Sequence, residues 1–189
     1  MKTTISKRMN GLDTTQLFET VEHIKGQPEL AKFRFRASNW WIGGTVNRST
    51  VQGFYGAGRE DDSRKVPFEF TSSEPPILLG NNEGANVGEA LLHALAGCIT
   101  TTTVLHATAR GIKIESISSE LEGDIDVQGV LGLDESVPVG FSEIRVRMKI
   151  SADCTAAELD ELMEFSKLHS PIFNSVTRPV PVQLGWNKQ

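Results

Sequence analysis

Apolar residues recur every three or four positions in three parts of the chain, a spacing that predicts amphipathic helices. The first predicted helix covers residues 14–25, and Gly26 follows it as a helix stop. The last covers residues 155–169, because a Thr-Ala-Ala-Glu capping box opens it and Ser170-Pro171 ends it. We expect the first of these helices to pack its apolar face against the rest of the protein.

The middle helix is predicted to be long and apolar, running from a cap at Asn86 to Arg110. Glu89, three residues after the cap, completes a capping-box-like start, and Gly111 follows the helix end. Alanines keep several sides of this helix thin, so more than one neighbour can pack closely against it. We therefore expect a central, buried helix with one stripe formed by Leu91, Leu95, Cys98, Thr102 and Leu105.

Alternation of apolar and polar residues predicts two long strands, at 117–127 and 144–150, on either side of a loop at 129–140. The solvent face of the first strand is acidic and that of the second is basic, which favours antiparallel pairing of the two. Turn signals separate the remaining segments. They predict strands at 32–37, 45–55, 66–71 and 180–184, a turn at 39–44, a loop at 56–65 and a connection at 72–86.

The order of these elements is a group of strands, a helix, two long strands, a helix and a last strand. Without regular alternation of strands and helices, this order predicts an α+β protein with antiparallel sheet. The chain has 189 residues, enough for one domain with a hydrophobic core. We expect an N-terminal extension over residues 1–30 and a single domain over residues 31–189.

Composition narrows the classes of function. The hydrophobic content of 39% and charged content of 23% are those of a soluble globular protein. The formal charge of −5 disfavours nonspecific binding to nucleic acid. No signal peptide is apparent, and no stretch approaches the roughly 18 apolar residues of a membrane span. Two cysteines do not make a disulfide framework, so we expect a cytoplasmic protein with neither membrane nor nucleic-acid partners.

Three separated segments resemble the OsmC/Ohr family of osmotically inducible protein C and organic hydroperoxide resistance proteins. They are Glu89-Ala-Leu-Leu-His-Ala-Leu-Ala-Gly-Cys98, then Ser170-Pro-Ile-Phe-Asn-Ser-Val176, and the Trp41-Ile-Gly43 turn leading into a strand. The resemblance covers roughly residues 33–184 in the same order. It implies an intertwined homodimer, in which two sheets wrap a pair of central helices and each active site lies at the subunit interface.

In peroxidase members of that family a cysteine thiolate attacks the peroxide bond, an arginine stabilises the thiolate and a glutamate orients the arginine. A second cysteine then condenses with the sulfenic acid. The resemblance implies that Cys98 is the nucleophile and Arg48 the arginine. The usual glutamate position holds Gly88, with Glu89 one residue away, and the second cysteine position holds Ser170. Because serine cannot form a disulfide, an external thiol would have to resolve the oxidised cysteine.

The other cysteine and three histidines are further candidates for functional residues. Cys154 lies at the opposite end of its helix from the family's second cysteine, so it is expected to have no redox role. His169, next to the second-signature serine, is a candidate cation near the nucleophile. His93 and His106 lack the i, i+4 spacing of a helical metal pair, and neither a metal nor a cofactor is expected.

Two hypotheses of different classes stay open. The first is a thiol-dependent hydroperoxide reductase that uses a single cysteine in oxidative stress defence. The second is a non-catalytic homodimer that binds an apolar small molecule in its interfacial pocket. A structural homodimer without a ligand is a third, weaker possibility. Reactivity of the Cys98 thiol separates the first hypothesis from the others.

Overall fold

Seven short strands lie within residues 8–72, and all of their pairings are antiparallel. The computed structural model describes residues 8–188, which form two compact units divided between Leu91 and Leu92. The first unit begins with a small hairpin of β1 (Arg8–Met9) and β2 (Leu12–Asp13), followed by helix α1 (Thr14–Gly26). Asp13 caps α1, since its carboxylate accepts a hydrogen bond from the Gln16 backbone at 3.1 Å. The first predicted helix is therefore confirmed, but none of its residues is buried, so the predicted packing of its apolar face is not observed.

A three-stranded antiparallel sheet follows in the first unit. It contains β3 (Ser38–Gly43), β4 (Val46–Val51) and β7 (Phe68–Ser72), with β4 in the middle. Between β4 and β7, the strands β5 (Phe54–Gly56) and β6 (Arg59–Asp61) form a separate hairpin. A single 3₁₀ turn, Pro76–Leu78, lies in the predicted connection before the next helix.

The sequence predictions for residues 32–65 are partly wrong. Residues 32–37 carry only an isolated bridge, between Arg34 and Tyr55, and the segment predicted as a turn forms strand β3 instead. The turn needs fewer residues than the sequence suggests, because Gly44 adopts a left-handed φ of 53° directly after the strand. The predicted strand at 45–55 is interrupted between β4 and β5, and the predicted loop at 56–65 contains β6.

Helix α2 (Val87–Ala109) begins and ends as predicted. The Asn86 side chain accepts a hydrogen bond from the Gly88 backbone at 2.6 Å, and Glu89 accepts one from the Asn86 backbone at 2.9 Å. Gly111 follows the helix with a φ of 74°. By length and composition alone this helix is long and apolar enough to cross a membrane, contrary to the expectation from the sequence, and 28% of its apolar 18-residue stretch is buried. The same length and composition occur in core helices of soluble proteins, so this is weak evidence for a membrane span.

The second unit contains the two long predicted strands, β8 (Ile114–Ile125) and β9 (Phe141–Ala152), paired antiparallel as expected. Acidic side chains of β8 lie opposite basic side chains of β9, as the sequence predicts. Arg145 lies opposite Glu122 and bonds it at 2.8 Å, and Asp124 at 2.5 Å, which lowers the pKa of both carboxyls. A short helix, α3 (Val127–Leu131), occupies the start of the predicted loop.

Two consecutive helices complete the second unit. Helix α4 (Ala156–His169) begins at the predicted capping box, in which Thr155 and Glu158 exchange hydrogen bonds. Helix α5 (Pro171–Thr177) follows directly. The strand predicted at 180–184 is absent, and its apolar residues are exposed, Val182 by 86% and Leu184 by 84%. A strand forms only where its backbone finds a pairing partner, and none of residues 8–188 pairs with this segment.

The apolar core is small for a chain of this length. The buried apolar residues among 8–188 all lie in the second unit: Leu95, Ile99, Ala107, Ile112 and Leu162. In α2, Leu95 and Thr102 of the predicted stripe are buried, whereas Leu91 and Leu105 are exposed. The fold combines helices with antiparallel sheets, as the sequence predicts.

Candidate functional site

The sulfur of Cys98 accepts two hydrogen bonds from the far end of the chain. The Ser170 hydroxyl donates to it at 3.2 Å, and the backbone N–H of Ile172 donates at 3.4 Å. Cys98 is half-buried in α2, and Ser170 is completely buried. The site thus brings together the cysteine and the second-signature serine that the sequence singled out.

Local sequence explains why these donors reach the sulfur. Ser170 ends α4 and also caps α5, because its hydroxyl accepts a hydrogen bond from the Phe173 backbone at 3.4 Å. Pro171 takes the first helical position, where its lack of an N–H costs nothing. The next N–H, that of Ile172, lies in the first turn and has no partner within its own helix. It is therefore available to the sulfur.

Two donors favour the acceptor forms of the sulfur. A thiolate can accept both hydrogen bonds. The other cysteine has a different environment. Cys154 packs against the apolar cluster of Ala107, Ile112 and Leu162, and both cysteines are free thiols.

His169 directs its ring towards another histidine and a phenylalanine. Its ring stacks on Phe165 with centroids 3.8 Å apart, its Nδ1 lies 2.8 Å from the Phe165 carbonyl oxygen, and His106 meets it edge-on at 5.6 Å. In the described part of the chain, the hydrogen bonds to the Cys98 sulfur come from Ser170 and Ile172 instead. Burial lowers the pKa of His106, and the charges of His169 and Arg110 lower it further.

The two remaining predicted site residues lie in the first unit. Arg48 is exposed on β4, between Trp40 of β3 and Thr71 of β7, and no ion pair found within residues 8–188 includes it. Glu89 holds the α2 cap, as described above, which is the plain structural role that the sequence also allowed. The roles of Arg48 and Glu89 towards Cys98 stay predictions.

The Ile172 N–H is the part of the site that sequence reasoning missed. A backbone group has no residue-type signature, so the only available signal was indirect. Ser170-Pro171 is a typical N-cap and first position of a helix, which implies unpartnered N–H groups immediately afterwards. Within residues 8–188 there is no group of three or more His, Cys, Asp or Glu placed to hold a metal ion.

Comparison with known proteins identifies the family. The sequence model of OsmC-like proteins matches residues 80–185, more than half of the chain. This chain belongs to the OsmC-like family. The matched range contains both sulfur-contacting residues and the cysteine itself, so the OsmC-like part of the chain includes the whole donor arrangement. No curated protein matches the chain.

Solved OsmC-like structures share the fold. An OsmC-like protein from Mycoplasma pneumoniae is 18% identical with a TM-score of 0.57, covering 76% of this chain and 87% of that one. An organic hydroperoxide resistance protein OsmC from Legionella pneumophila is 14% identical with a TM-score of 0.53, covering 76% and 88%. An OsmC-like protein of unknown function from Vibrio cholerae is 13% identical with a TM-score of 0.54, covering 75% and 92%. Identities this low support the fold alone.

Proposed function

We propose that this OsmC-like protein is a hydroperoxide reductase in oxidative stress defence, with Cys98 as its single redox-active cysteine. The observation that carries the proposal is the pair of donors on the Cys98 sulfur, the Ser170 hydroxyl at 3.2 Å and the Ile172 N–H at 3.4 Å. A buried thiol that serves only as packing has no need of two donors. A thiolate nucleophile does, because each donor stabilises its charge.

The proposed reaction balances without a metal or a cofactor. The Cys98 thiolate attacks one peroxide oxygen, the O–O bond breaks, and the alkoxide leaves and takes a proton to become an alcohol. The cysteine is now a sulfenic acid. One external thiol converts it to a mixed disulfide with release of water, and a second thiol releases the reduced enzyme and the disulfide of the reductant.

The surroundings of the sulfur favour a single-cysteine cycle. Ser170 takes the position at which the family's second cysteine would contact the nucleophile, and its hydroxyl cannot form a disulfide. Cys154 is held in a separate apolar cluster. We therefore assign resolution to a thiol from outside the chain. Arg48 is the proposed cation for the thiolate, and Glu89, which already caps α2, is a lesser part of the proposal.

We further infer that the active form is an intertwined cytoplasmic homodimer with a site at each subunit interface. The support is the amount of exposed apolar surface. Large apolar side chains are exposed in both units, among them Trp41 by 75% and Phe35 by 72%. Patches of that kind mark interaction surfaces in proteins of this size. The N-terminal extension at 1–30 and the OsmC-like domain at 31–189 remain the proposed domain division.

The test is hydroperoxide consumption with dithiothreitol as the external thiol. We expect the parent protein and Cys154→Ser to consume an organic hydroperoxide, and Cys98→Ser to fall to the rate of the thiol alone. Activity that survives in Cys98→Ser would refute the proposal, and so would activity that needs Cys154. Non-reducing mass measurement of the oxidised parent should show no Cys98–Cys154 disulfide.

A second candidate, the non-catalytic homodimer that binds an apolar small molecule, has one observation in its favour. Phe33, Phe35 and Phe54 form a triangular cluster of rings with pairwise centroid distances of 6.0, 6.3 and 5.9 Å, and Phe33 and Phe35 are more than half exposed. Such a surface suits an apolar ligand. A small molecule recovered by solvent extraction of the purified protein, together with an inert Cys98, would favour this candidate.

A further inference from the structure

Among the described residues, the backbone nitrogen of Ile172 is the nitrogen atom that hydrogen-bonds the Cys98 sulfur. It lies 3.4 Å away, and its N–H points at the sulfur. The group lies in the first turn of α5, where N–H groups have no acceptor within the helix. Loss of that hydrogen would therefore break no backbone hydrogen bond of α5.

We propose that the sulfenic acid of Cys98 condenses with the backbone nitrogen of Ile172 to form a sulfenamide. This bond would replace the disulfide that a second cysteine would otherwise provide. The inference rests on the proposed function, because it needs Cys98 to be oxidised first. A sulfenic acid near a thiol forms a disulfide, and one near a backbone nitrogen can form a sulfenamide instead.

The step needs no further oxidant. The Ile172 nitrogen attacks the Cys98 sulfur, the sulfur–oxygen bond breaks, and the hydroxide leaves with the proton of the nitrogen as water. An external thiol later attacks the sulfur, the sulfur–nitrogen bond breaks, and the nitrogen recovers its proton. A second thiol then reduces the mixed disulfide and returns Cys98 to the thiol state.

The arrangement of the site favours this condensation. The new bond forms along the existing N–H direction, within the plane of the peptide group. The Ser170 hydroxyl, which donates to the sulfur in the reduced protein, can donate to the departing oxygen in the oxidised one. The nitrogen must move from 3.4 Å to bonding distance of the sulfur, and the helix that carries Ile172 has only seven residues and is followed by an exposed segment without regular structure.

The experiment uses the full-length chain in the Cys154→Ser background, which removes any disulfide within the chain. The protein is treated with one equivalent of tert-butyl hydroperoxide without thiol, and its mass is measured under non-reducing conditions. We expect a loss of two hydrogen atoms relative to the reduced chain. Peptide mapping should join the Cys98 peptide to the Ile172 peptide, and dithiothreitol should reverse the change.

Two variants test whether the backbone nitrogen of Ile172 forms the cross-link. Ile172→Pro removes the hydrogen that must leave, and proline is tolerated in the first turn of a helix. We expect it to lose the cross-link, so that dimedone traps the sulfenic acid or peroxide oxidises it further. Ile172→Val keeps the N–H and is the matched control, in which the cross-link should persist. Should the proline variant fail to fold, the peptide map of the Ile172→Val protein still decides the question.

The outcomes separate this inference from the proposed function. If dimedone traps Cys98 fully in the Ile172→Val protein and no loss of two hydrogens occurs, the sulfenamide is refuted and the peroxide reaction stands. If Cys98 is not oxidised in any variant, the proposed function fails and the inference fails with it. A cross-link that persists in Ile172→Pro would also overturn the inference, because that nitrogen has no hydrogen to lose.

Discussion

Cys98 differs from Cys154 in the atoms around its sulfur rather than in exposure, since both side chains are half-buried. A hydroxyl and a backbone N–H converge on the first, and apolar side chains surround the second. Hydrogen-bond donors stabilise a thiolate, and apolar neighbours do not. At the scale of single residues, this difference is what supports Cys98 as the reactive cysteine of the proposed function.

Removing the Ser170 hydroxyl should slow the chemistry of Cys98. A hydrogen bond of this kind is worth about 1 kcal/mol, so we expect Ser170→Ala to reduce the rate of iodoacetamide labelling at neutral pH by about fivefold. The variant also loses the α5 cap, which costs about 1 kcal/mol of stability. Ser175→Ala is the matched control, because that hydroxyl bonds the Pro171 carbonyl of its own helix at 2.9 Å. Equal labelling rates in the parent and Ser170→Ala would contradict the assignment.

Some groups of the site could be predicted from the sequence and others could not. Cys98 and Ser170 lie in recognisable segments 72 positions apart, and the structure joins them. The Ile172 N–H is invisible because every residue except proline has one. The sequence points to Arg48 only because this residue follows a predicted turn. Many residue patterns predict turns, so a position after one is a weak signal for a catalytic arginine. The distance from Arg48 to the sulfur depends on tertiary arrangement rather than on any local signal.

Elements with strong local signals were predictable from the sequence. The capping box at Thr155 fixes the start of α4, and opposite charges on alternating positions fix the pairing of β8 with β9. The failures at 32–37 and 180–184 have a common cause. Both segments alternate in polarity as strands do, but pairing depends on a partner that periodicity does not reveal. At 39–44, the two tryptophans belong to strand β3 and pair with β4. This is possible because Gly44 adopts a left-handed φ, so the turn between the two strands needs few residues.

The contact between α2 and α4 should make stability depend on pH. The pKa of His106 is lower in the folded chain, chiefly because of burial, so the unfolded chain binds its proton more readily. Stability should therefore fall as the pH drops below about 6.5. We expect the urea midpoint to be lower at pH 5.5 than at pH 7.5, and His106→Gln to reduce that difference. His23→Gln, in exposed α1, should leave it unchanged. An undiminished difference in His106→Gln would refute this prediction.

Residues 8–188 bury few large apolar side chains, and this supports the proposed homodimer. Core residues are few, and the exposed apolar side chains include an alternating series near the C-terminus: Val180, Val182, Leu184 and Trp186. A segment that alternates as a strand and is paired with none of the residues that the structure describes is suited to pair with a second copy. The intertwined homodimer proposed above would bury the exposed apolar side chains and give the C-terminal segment a pairing partner.

Dimerisation can be tested on this C-terminal segment. The protein should sediment at about twice 20.7 kDa, and its unfolding midpoint should rise with protein concentration. Leu184→Asp places a charge on the apolar face, so we expect it to shift the protein to smaller, less stable species. Gln183→Asp changes the opposite face and is the control. A monomer at all concentrations in the parent, or equal behaviour of the two variants, would contradict the dimer.

The most direct test of the central claim is oxidation of Cys98 itself. The reduced protein is treated with one equivalent of an organic hydroperoxide, and iodoacetamide labelling of each cysteine is then measured by peptide mass. We predict that Cys98 loses its reactivity within the reaction time, that Cys154 keeps its own, and that dithiothreitol restores Cys98. A Cys98 that is labelled equally before and after peroxide would contradict the account, and the binding protein would become the leading hypothesis.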